Sequence, residues 1–168
     1  MRRPFLAALA ATAALPLAAQ EVAGGGGAAD QAALPSPLER WEADRAVVLD
    51  AEDLDLADFR WVARPVIVFA ETDRDPAFSE QLEELTDRGG ALAERDVVVI
   101  VDTDPDARSA LRRQLRPGRF SVVLIGKDGE VKYSRPSFQT VRELSRVIDS
   151  MPMRQQEIRE RRPPAAEG

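Results

Sequence analysis

The apolar run PVIVFA at residues 65–70 constrains the fold more than any other part of the sequence. Six successive apolar residues, rich in β-branched side chains, lack the alternation of a half-exposed strand. The run therefore predicts a strand that is covered on both faces. Such a strand lies inside a sheet with helices on both sides.

A helix is predicted directly after this strand. Asp75 is a typical N-cap residue, and Pro76 occupies the first helical position, where its missing N–H costs nothing. Phe78, Leu82 and Leu85 follow at helical spacing. The helix is therefore expected to present one apolar face to the sheet.

The alternation of strand and helix continues along the chain. The Asp128-Gly129 pair between two apolar runs is a strong signal of a β-hairpin. The remaining predicted elements are a buried strand at 97–101, a helix at 106–115 capped by Asp106, hairpin strands at 121–125 and 131–134, and a final helix that begins at Ser137 and ends before Pro152.

This order predicts an α/β fold. Right-handed crossovers make the first two strands parallel, and the last two strands form the antiparallel hairpin. The result is a three-layer sandwich with a four-stranded mixed sheet in the order 2-1-3-4 and helices on both faces, which is the thioredoxin-like arrangement. We assign it to residues 41–153, where residues 46–49 are ambiguous and favour a short strand.

The chain begins with the features of an exported protein. Arg2 and Arg3 precede an apolar run at 5–17, which predicts a signal peptide over residues 1–20. The run is shorter than the roughly 20 residues of a membrane-spanning helix, so no stable anchor is expected after cleavage. We expect a flexible linker at 21–40, a charged, disordered tail at 154–168, and a periplasmic or secreted location in a bacterium.

Composition excludes several classes of chemistry. The chain has no cysteine and no histidine, so dithiol redox catalysis, Ser-His or Cys-His nucleophiles and structural zinc sites are all ruled out. We expect no metal and no cofactor. The formal net charge of -6 also disfavours binding to nucleic acid.

Several short segments together resemble one family. They are LIGKDG at 124–129, IDSMPMR at 148–154, ERD at 94–96, and the single residues Trp61 and Arg64. Over residues 54–157 the chain resembles the thioredoxin-like DUDES domain family, a domain of unknown function in exported bacterial proteins and vertebrate extracellular sushi-repeat proteins. The resemblance implies a thioredoxin-like fold and an extracytoplasmic location, but no reaction.

The thiol site of thioredoxins has no counterpart here. That site needs a thiol at the helix start after the first core strand, where the helix dipole stabilises a thiolate. The corresponding turn reads ETDRDP at 71–76, and three acids in it would disfavour an anion. Thioredoxins also have a cis-proline before the third strand, and this chain has Phe120 and Ser121 there.

Two groups of residues are candidate sites. Glu71, Asp73 and Asp75 are the catalytic candidates, because open α/β sheets bind ligands at the carboxyl ends of their strands. The simpler interpretation is solvated loop acids and a helix cap. The candidates for ligand or partner binding are Lys127 and Asp128 in the hairpin turn and Arg112 and Arg116 on a basic helix face. The favoured interpretation of the first pair is turn chemistry, and that of the second is a solvated helix face.

The expected function is therefore that of an exported thioredoxin-like domain without redox cysteines. We expect a non-catalytic module that binds a protein or an envelope component. The sequence leaves two alternative functions open. One is an acid–base enzyme that uses the acids after the first core strand, and the other is an accessory to a separate redox protein.

Overall fold

The structure, a computed structural model, describes residues 34–52 and 54–161. The strands are β1 (Val48–Asp50), β2 (Arg64–Phe69), β3 (Val97–Asp102), β4 (Ser121–Ile125) and β5 (Val131–Arg135). The helices are α1 (Pro37–Ala43), α2 (Pro76–Asp87), α3 (Gly89–Ala93), α4 (Ala110–Leu115), α5 (Val141–Asp149) and α6 (Pro152–Glu160), with a 3-10 turn at Leu56–Phe59. The predicted signal peptide, residues 21–33 of the predicted linker and residues 162–168 lie outside the described residues.

The strands form one mixed sheet in the order β1-β3-β2-β4-β5. Strands β1, β3 and β2 are parallel, whereas β4 is antiparallel to both β2 and β5. The predicted thioredoxin-like class is confirmed, and β3-β2-β4-β5 has the predicted order with β2 inside the sheet. The predicted count of four strands was one too low, because β1 has only three residues and so no readable periodicity.

The sheet divides the apolar core into two clusters. Every residue of β2 is buried, because successive side chains point to opposite faces and both faces are covered. Val66 and Val68 belong to the cluster under α2, α3 and α5, whereas Ile67 and Phe69 belong to the cluster under α1, the 3-10 turn and α4. This packing is the three-layer sandwich expected from the sequence.

Helix α1 extends the domain before the boundary predicted at residue 41. Ser36 and Glu39 form a capping box that starts the helix. Trp41 is fully buried, and its Nε1–H donates a hydrogen bond to the Val97 carbonyl at 3.0 Å. Residues 37–40 therefore belong to the folded domain and not to a flexible linker.

Helix α6 extends the domain beyond residue 153 in the same way. Pro152 occupies the first turn of α6 and so separates it from α5 without ending the fold. Arg154 is buried, although it lies at the start of the predicted disordered tail. Helix α6 was not predicted because its sequence has no apolar stripe. Contacts between charged side chains attach it to the domain.

Two helix caps also differ from the predicted ones. Ser109, and not Asp106, caps α4 and accepts the Arg112 N–H at 3.0 Å, whereas Thr140 caps α5 in a capping box with Glu143. Asp106 lies in a turn in which its own N–H donates to Asp104 Oδ1 at 2.9 Å. None of the helices in the described ranges has the length and hydropathy required to cross a membrane.

Candidate functional site

The three candidate catalytic acids lie on the loop between β2 and α2. Asp75 Oδ1 accepts the Ala77 N–H at 2.9 Å and caps α2. Glu71 forms an ion pair of 2.7 Å with Arg119 on the surface, and Asp73 is exposed as well. The described contacts therefore favour a helix cap and solvated acids over a buried acid–base pair.

Asp75→Ala is expected to lower the free energy of unfolding by about 1 kcal/mol, because the Ala77 N–H in the first turn of α2 loses its acceptor. Asp73→Asn, two residues earlier and exposed, should change it by less than about 0.5 kcal/mol. Urea unfolding of both variants measures the difference. Equal losses would contradict the assignment of Asp75 as the cap.

Arg112 belongs to α4, and its side chain connects this helix to the carboxyl ends of β2 and β3. Its Nε donates to Asp102 Oδ1 at 2.6 Å, and its Nη2 donates to the Ala70 carbonyl at 2.5 Å. The buried Asp102 also accepts the Ser109 hydroxyl at 2.5 Å. These contacts give Arg112 a structural role, and its predicted contact with a partner stays a prediction. Arg116 is exposed at the C-terminus of α4 with φ 47°.

Lys127 is largely enclosed, which the hairpin-turn interpretation does not anticipate. Its Nζ lies 2.8 Å from Asp96 Oδ2 and 3.0 Å from Glu157 Oε1, and 11% of the side chain is exposed. The ion pair with Glu157 connects the hairpin turn to α6. Lys127 is thus part of a charged cluster and not a solvated turn residue.

Arg64 is the most deeply buried member of that cluster, with 1% of its surface exposed. Its Nη2 donates to Glu157 Oε1 at 2.8 Å, and its Nη1 donates to the Arg95 carbonyl at 2.9 Å. Arg154 Nη1 reaches the other oxygen of Glu157 at 3.2 Å. We call this group the basal cluster; its members are Arg64, Asp96, Lys127, Arg154 and Glu157.

Glu157 holds the basal cluster together electrostatically. Burial acts to raise the pKa of its carboxyl, but hydrogen bonds from Arg64 and Lys127 and their positive charges outweigh it and lower the pKa to about 2. Glu157 is therefore charged throughout the neutral and mildly acidic range. Its charge neutralises cations that lie far from it in sequence.

The basal cluster lies at the end of the sheet opposite the candidate acids. Because β2 and β4 are antiparallel, the end of β4 and the hairpin turn lie beside the start of β2. The Trp61 N–H donates to the Lys127 carbonyl at 2.7 Å, and the Arg64 N–H donates to the Asp96 carbonyl at 2.7 Å. The separate segments that carry the family resemblance thus meet at one place.

A cavity of about 250 Å³ lies next to the cluster. We call it the basal cavity; its lining residues are Arg64, Gly126, Lys127, Asp128, Lys132, Met151, Pro152 and Met153. It therefore combines ion-paired side chains with an apolar wall from the start of α6.

Asp128 lines the basal cavity together with Lys132. Partial burial acts to raise the pKa of the Asp128 carboxyl, but the Lys132 ammonium at 2.6 Å and the Glu130 N–H hold this pKa below its ordinary value. Asp128 and Lys132 are therefore a charged pair at neutral pH. Of the predicted site residues, the structure brings Lys127 and Asp128 together here, whereas Arg112 and the acids at 71–75 lie at the other end of the sheet.

Sequence reasoning missed Glu157 and the role of Arg154. Both lie in the segment predicted to be a disordered tail, and both are charged residues without an apolar pattern around them. One sequence feature could have indicated their pairing: Arg154 and Glu157 are three residues apart, and this spacing places both side chains on one face of a helix.

A known family matches the part of the chain that contains the basal cluster. The model of the family described as "Domain of unknown function (DUF4174)" matches residues 55–157. The chain belongs to the DUF4174 family. The matched range includes β2 to β5 and most of α6, and so every member of the basal cluster. The resemblance to a thioredoxin-like domain of unknown function is thereby confirmed, whereas the DUDES name stays a prediction.

The DUF4174 domain is also similar to part of a protein from Danio rerio. It is 33% identical over 133 residues to coiled-coil domain-containing protein 80 of Danio rerio, across 61% of this chain and 15% of that protein. The chain thus spans about 15% of the length of this relative.

Among solved structures, reduced desulfothioredoxin of Desulfovibrio vulgaris Hildenborough is 21% identical, with a TM-score of 0.48 over 63% of this chain and 98% of that one. Plasmodium yoelii thioredoxin peroxidase I is 18% identical, with a TM-score of 0.48 over 67% of this chain and 84% of that one.

Proposed function

We propose that this DUF4174 domain is an exported, non-catalytic module that binds a protein or an envelope component through the end of its sheet that bears the basal cluster. The observation that supports this most directly is the meeting of the residues of the family resemblance at that end. The opposite end, where thioredoxins carry their thiol, has acids and no cysteine. Export rests on the predicted signal peptide.

Exposed apolar side chains provide the second argument. In the described ranges, the large exposed apolar side chains are Leu34, Trp61, Val131 and Ile158. The last three belong to segments that meet at Lys127: the Trp61 N–H donates to the Lys127 carbonyl, Val131 pairs with Ile125 in the hairpin, and Ile158 follows Glu157, the ion-pair partner of Lys127. Exposed apolar side chains beside charged ones are common at protein interaction sites, and this supports a partner at this end of the sheet.

Trp61 is the best candidate for a partner anchor. It is 62% exposed, and its φ of 66° is unusual for a bulky residue. Strained backbone persists only when the surrounding structure maintains it, and here the hydrogen bond to Lys127 does so. Tryptophan is also enriched among the residues that dominate binding energies at interfaces.

Photo-cross-linking in the native envelope tests this function. A photoreactive amino acid at position 61 or 158 should give one discrete cross-linked species. The same amino acid at Glu80 or Glu83, which are exposed on α2, should give none and serves as the matched control. Cross-links of equal yield from both sets, or no species from 61 and 158, would contradict the proposal. Cell fractionation of the same strains tests the exported location.

A further inference from the structure

We propose that Pro152 keeps α6 docked on its own chain, and that without this proline the domain exchanges α6 with a second copy and forms a dimer. Helix α6 reaches the basal cluster because the chain turns between α5 and α6. The surface that holds α6 is thus a helix-binding site with two possible occupants, the α6 of the same chain and that of another copy. This inference does not depend on the partner proposed above.

The turn between α5 and α6 is very short. Two residues separate the end of α5 at Asp149 from the start of α6 at Pro152. Ser150 keeps a right-handed helical backbone, and its N–H donates to the Arg146 carbonyl at 3.2 Å. Met151 has φ -69° and ψ 137°, so its ψ is that of an extended chain. A change of ψ at this one residue therefore accounts for most of the difference between the bent pair and one continuous helix.

Pro152 imposes the extended conformation of Met151. The ring of a proline clashes with a helical backbone at the preceding residue and displaces its ψ to about 120–160°. The observed ψ of 137° lies in this range. Pro152 also lacks the N–H that a continuous helix would use to bond the Ile148 carbonyl, four residues earlier. The proline therefore prevents α5 and α6 from joining.

The residues on both sides of Pro152 favour a continuous helix. Met151 lies three residues after the buried Ile148, and both belong to the same core cluster. A continuous helix would keep them on one face, because residues three apart are neighbours on a helix surface. The segment 153–160 consists almost wholly of residues with high helix propensity. Pro152 is thus the residue that opposes the helical preference of its neighbours.

A continuous helix would remove α6 from the basal cluster of its own chain. On the extended axis of α5, Glu157 would lie about 12 Å beyond Asp149, at a rise of about 1.5 Å per residue. The contact of 2.8 Å between its carboxylate and Arg64 Nη2 would then be lost. Arg64 is 1% exposed in the folded domain, and removing the carboxylate partner of a buried cation is strongly unfavourable.

The α6 of a second copy would restore these contacts. It carries the same Glu157 for Arg64 and Lys127, and the same Arg161 for the Glu94 carbonyl. Exchange between two copies is reciprocal, so both sites are filled and the two-fold arrangement closes without further association. Exchange of an identical element is a low-cost route to a dimer, because the contacts of the folded domain are kept and the hinge alone changes.

Pro152→Ala is the direct test, with Pro76→Ala as the matched control. Both prolines begin a helix, but Pro76 follows a loop and the Asp75 cap, so α2 has no preceding helix to join. In size-exclusion chromatography with light scattering at about 100 µM, we expect Pro152→Ala to raise the dimer fraction at least about tenfold and Pro76→Ala to leave it unchanged. An unchanged dimer fraction in Pro152→Ala overturns the proposal.

Cross-linking shows which chain supplies α6. The sequence has no cysteine, so Glu94→Cys and Arg161→Cys provide the two thiols that a short bismaleimide joins. Arg161 Nη1 lies 3.3 Å from the Glu94 carbonyl, so this pair reports docked α6. We expect links within one chain when Pro152 is present, and links between two chains on denaturing gels in the Pro152→Ala background. Links confined to single chains in that background overturn the proposal.

Pro152→Gly keeps the proposal testable if the alanine variant does not fold. Glycine also removes the constraint on Met151, but it favours a continuous helix much less than alanine does. We therefore expect a dimer fraction above that of wild type and below that of Pro152→Ala, with the same links between chains. A glycine variant that matches wild type, or one that matches Pro152→Ala, overturns the proposal, because helix formation at the hinge would then not control the exchange.

Discussion

Glu157→Gln is expected to lower the free energy of unfolding at neutral pH by about 3 kcal/mol, one of the two largest effects that we predict. The pKa of Glu157 falls from 4.5 to about 2 on folding, and each unit of such a shift corresponds to about 1.4 kcal/mol. The variant also leaves the buried Arg64 without a charged partner. Urea unfolding measures the loss.

The loss should depend on pH in a defined direction. Because the pKa of Glu157 is lower in the folded protein, the unfolded chain binds more protons between about pH 4.5 and pH 2, so acid favours unfolding there. The stability that this carboxylate contributes is thus fully present above pH 4.5 and is lost as the pH falls toward 2. The difference between wild type and Glu157→Gln should shrink to near zero over the same range.

Glu160→Gln is the matched control for this prediction. Glu160 lies three residues further along α6, is exposed and accepts a hydrogen bond from Gln156 on its own helix. Its substitution should change stability by less than about 0.5 kcal/mol at any pH. Similar losses in both variants would show that α6 is not held by the basal cluster.

Trp41→Ala is expected to cost about 3–5 kcal/mol, because it removes a fully buried indole from the core and leaves a cavity. It also removes the hydrogen bond to the Val97 carbonyl and the packing of the Arg45 guanidinium, 3.8 Å from the centre of the indole ring. Both effects detach α1 from the sheet. Urea unfolding followed by circular dichroism measures the cost.

The other tryptophan is the natural control. Trp61 is 62% exposed, so Trp61→Ala should change stability by less than about 0.5 kcal/mol. Tryptophan fluorescence distinguishes the two residues. Trp61→Ala should retain the blue-shifted emission of the buried Trp41, whereas Trp41→Ala should retain the red-shifted emission of the exposed Trp61. A large stability loss from Trp61→Ala would contradict its assignment as a surface residue.

The central part of the fold could be predicted because its signals are local. The run at 65–70 is apolar on both faces, Asp75 and Pro76 mark the start of α2, and Asp128-Gly129 marks the hairpin. Each signal depends on a few neighbouring residues. Together they determine the order of β3, β2, β4 and β5 through the handedness of crossovers.

The remaining parts depend on contacts between distant residues. Strand β1 is too short for a period and is held by its pairing with β3, about 50 residues away in sequence. Glu157 acquires its role from Arg64, which is separated from it by 93 residues. A local sequence pattern does not indicate a contact between such distant residues. Sequence reasoning therefore identified Lys127 and Asp128 as site residues but not Glu157, whose carboxylate binds the cations of the cluster.

The contact between Arg64 and Glu157 also affects the order of events during synthesis. A chain is made from its N-terminus, so Arg64 and Lys127 are present before residues 152–160 appear. Until then, the Arg64 guanidinium lacks its carboxylate partner Glu157, and Lys127 has only Asp96. Folding is therefore complete only after α6 has emerged, and fragments that stop before residue 152 are expected to be degraded as incompletely folded chains.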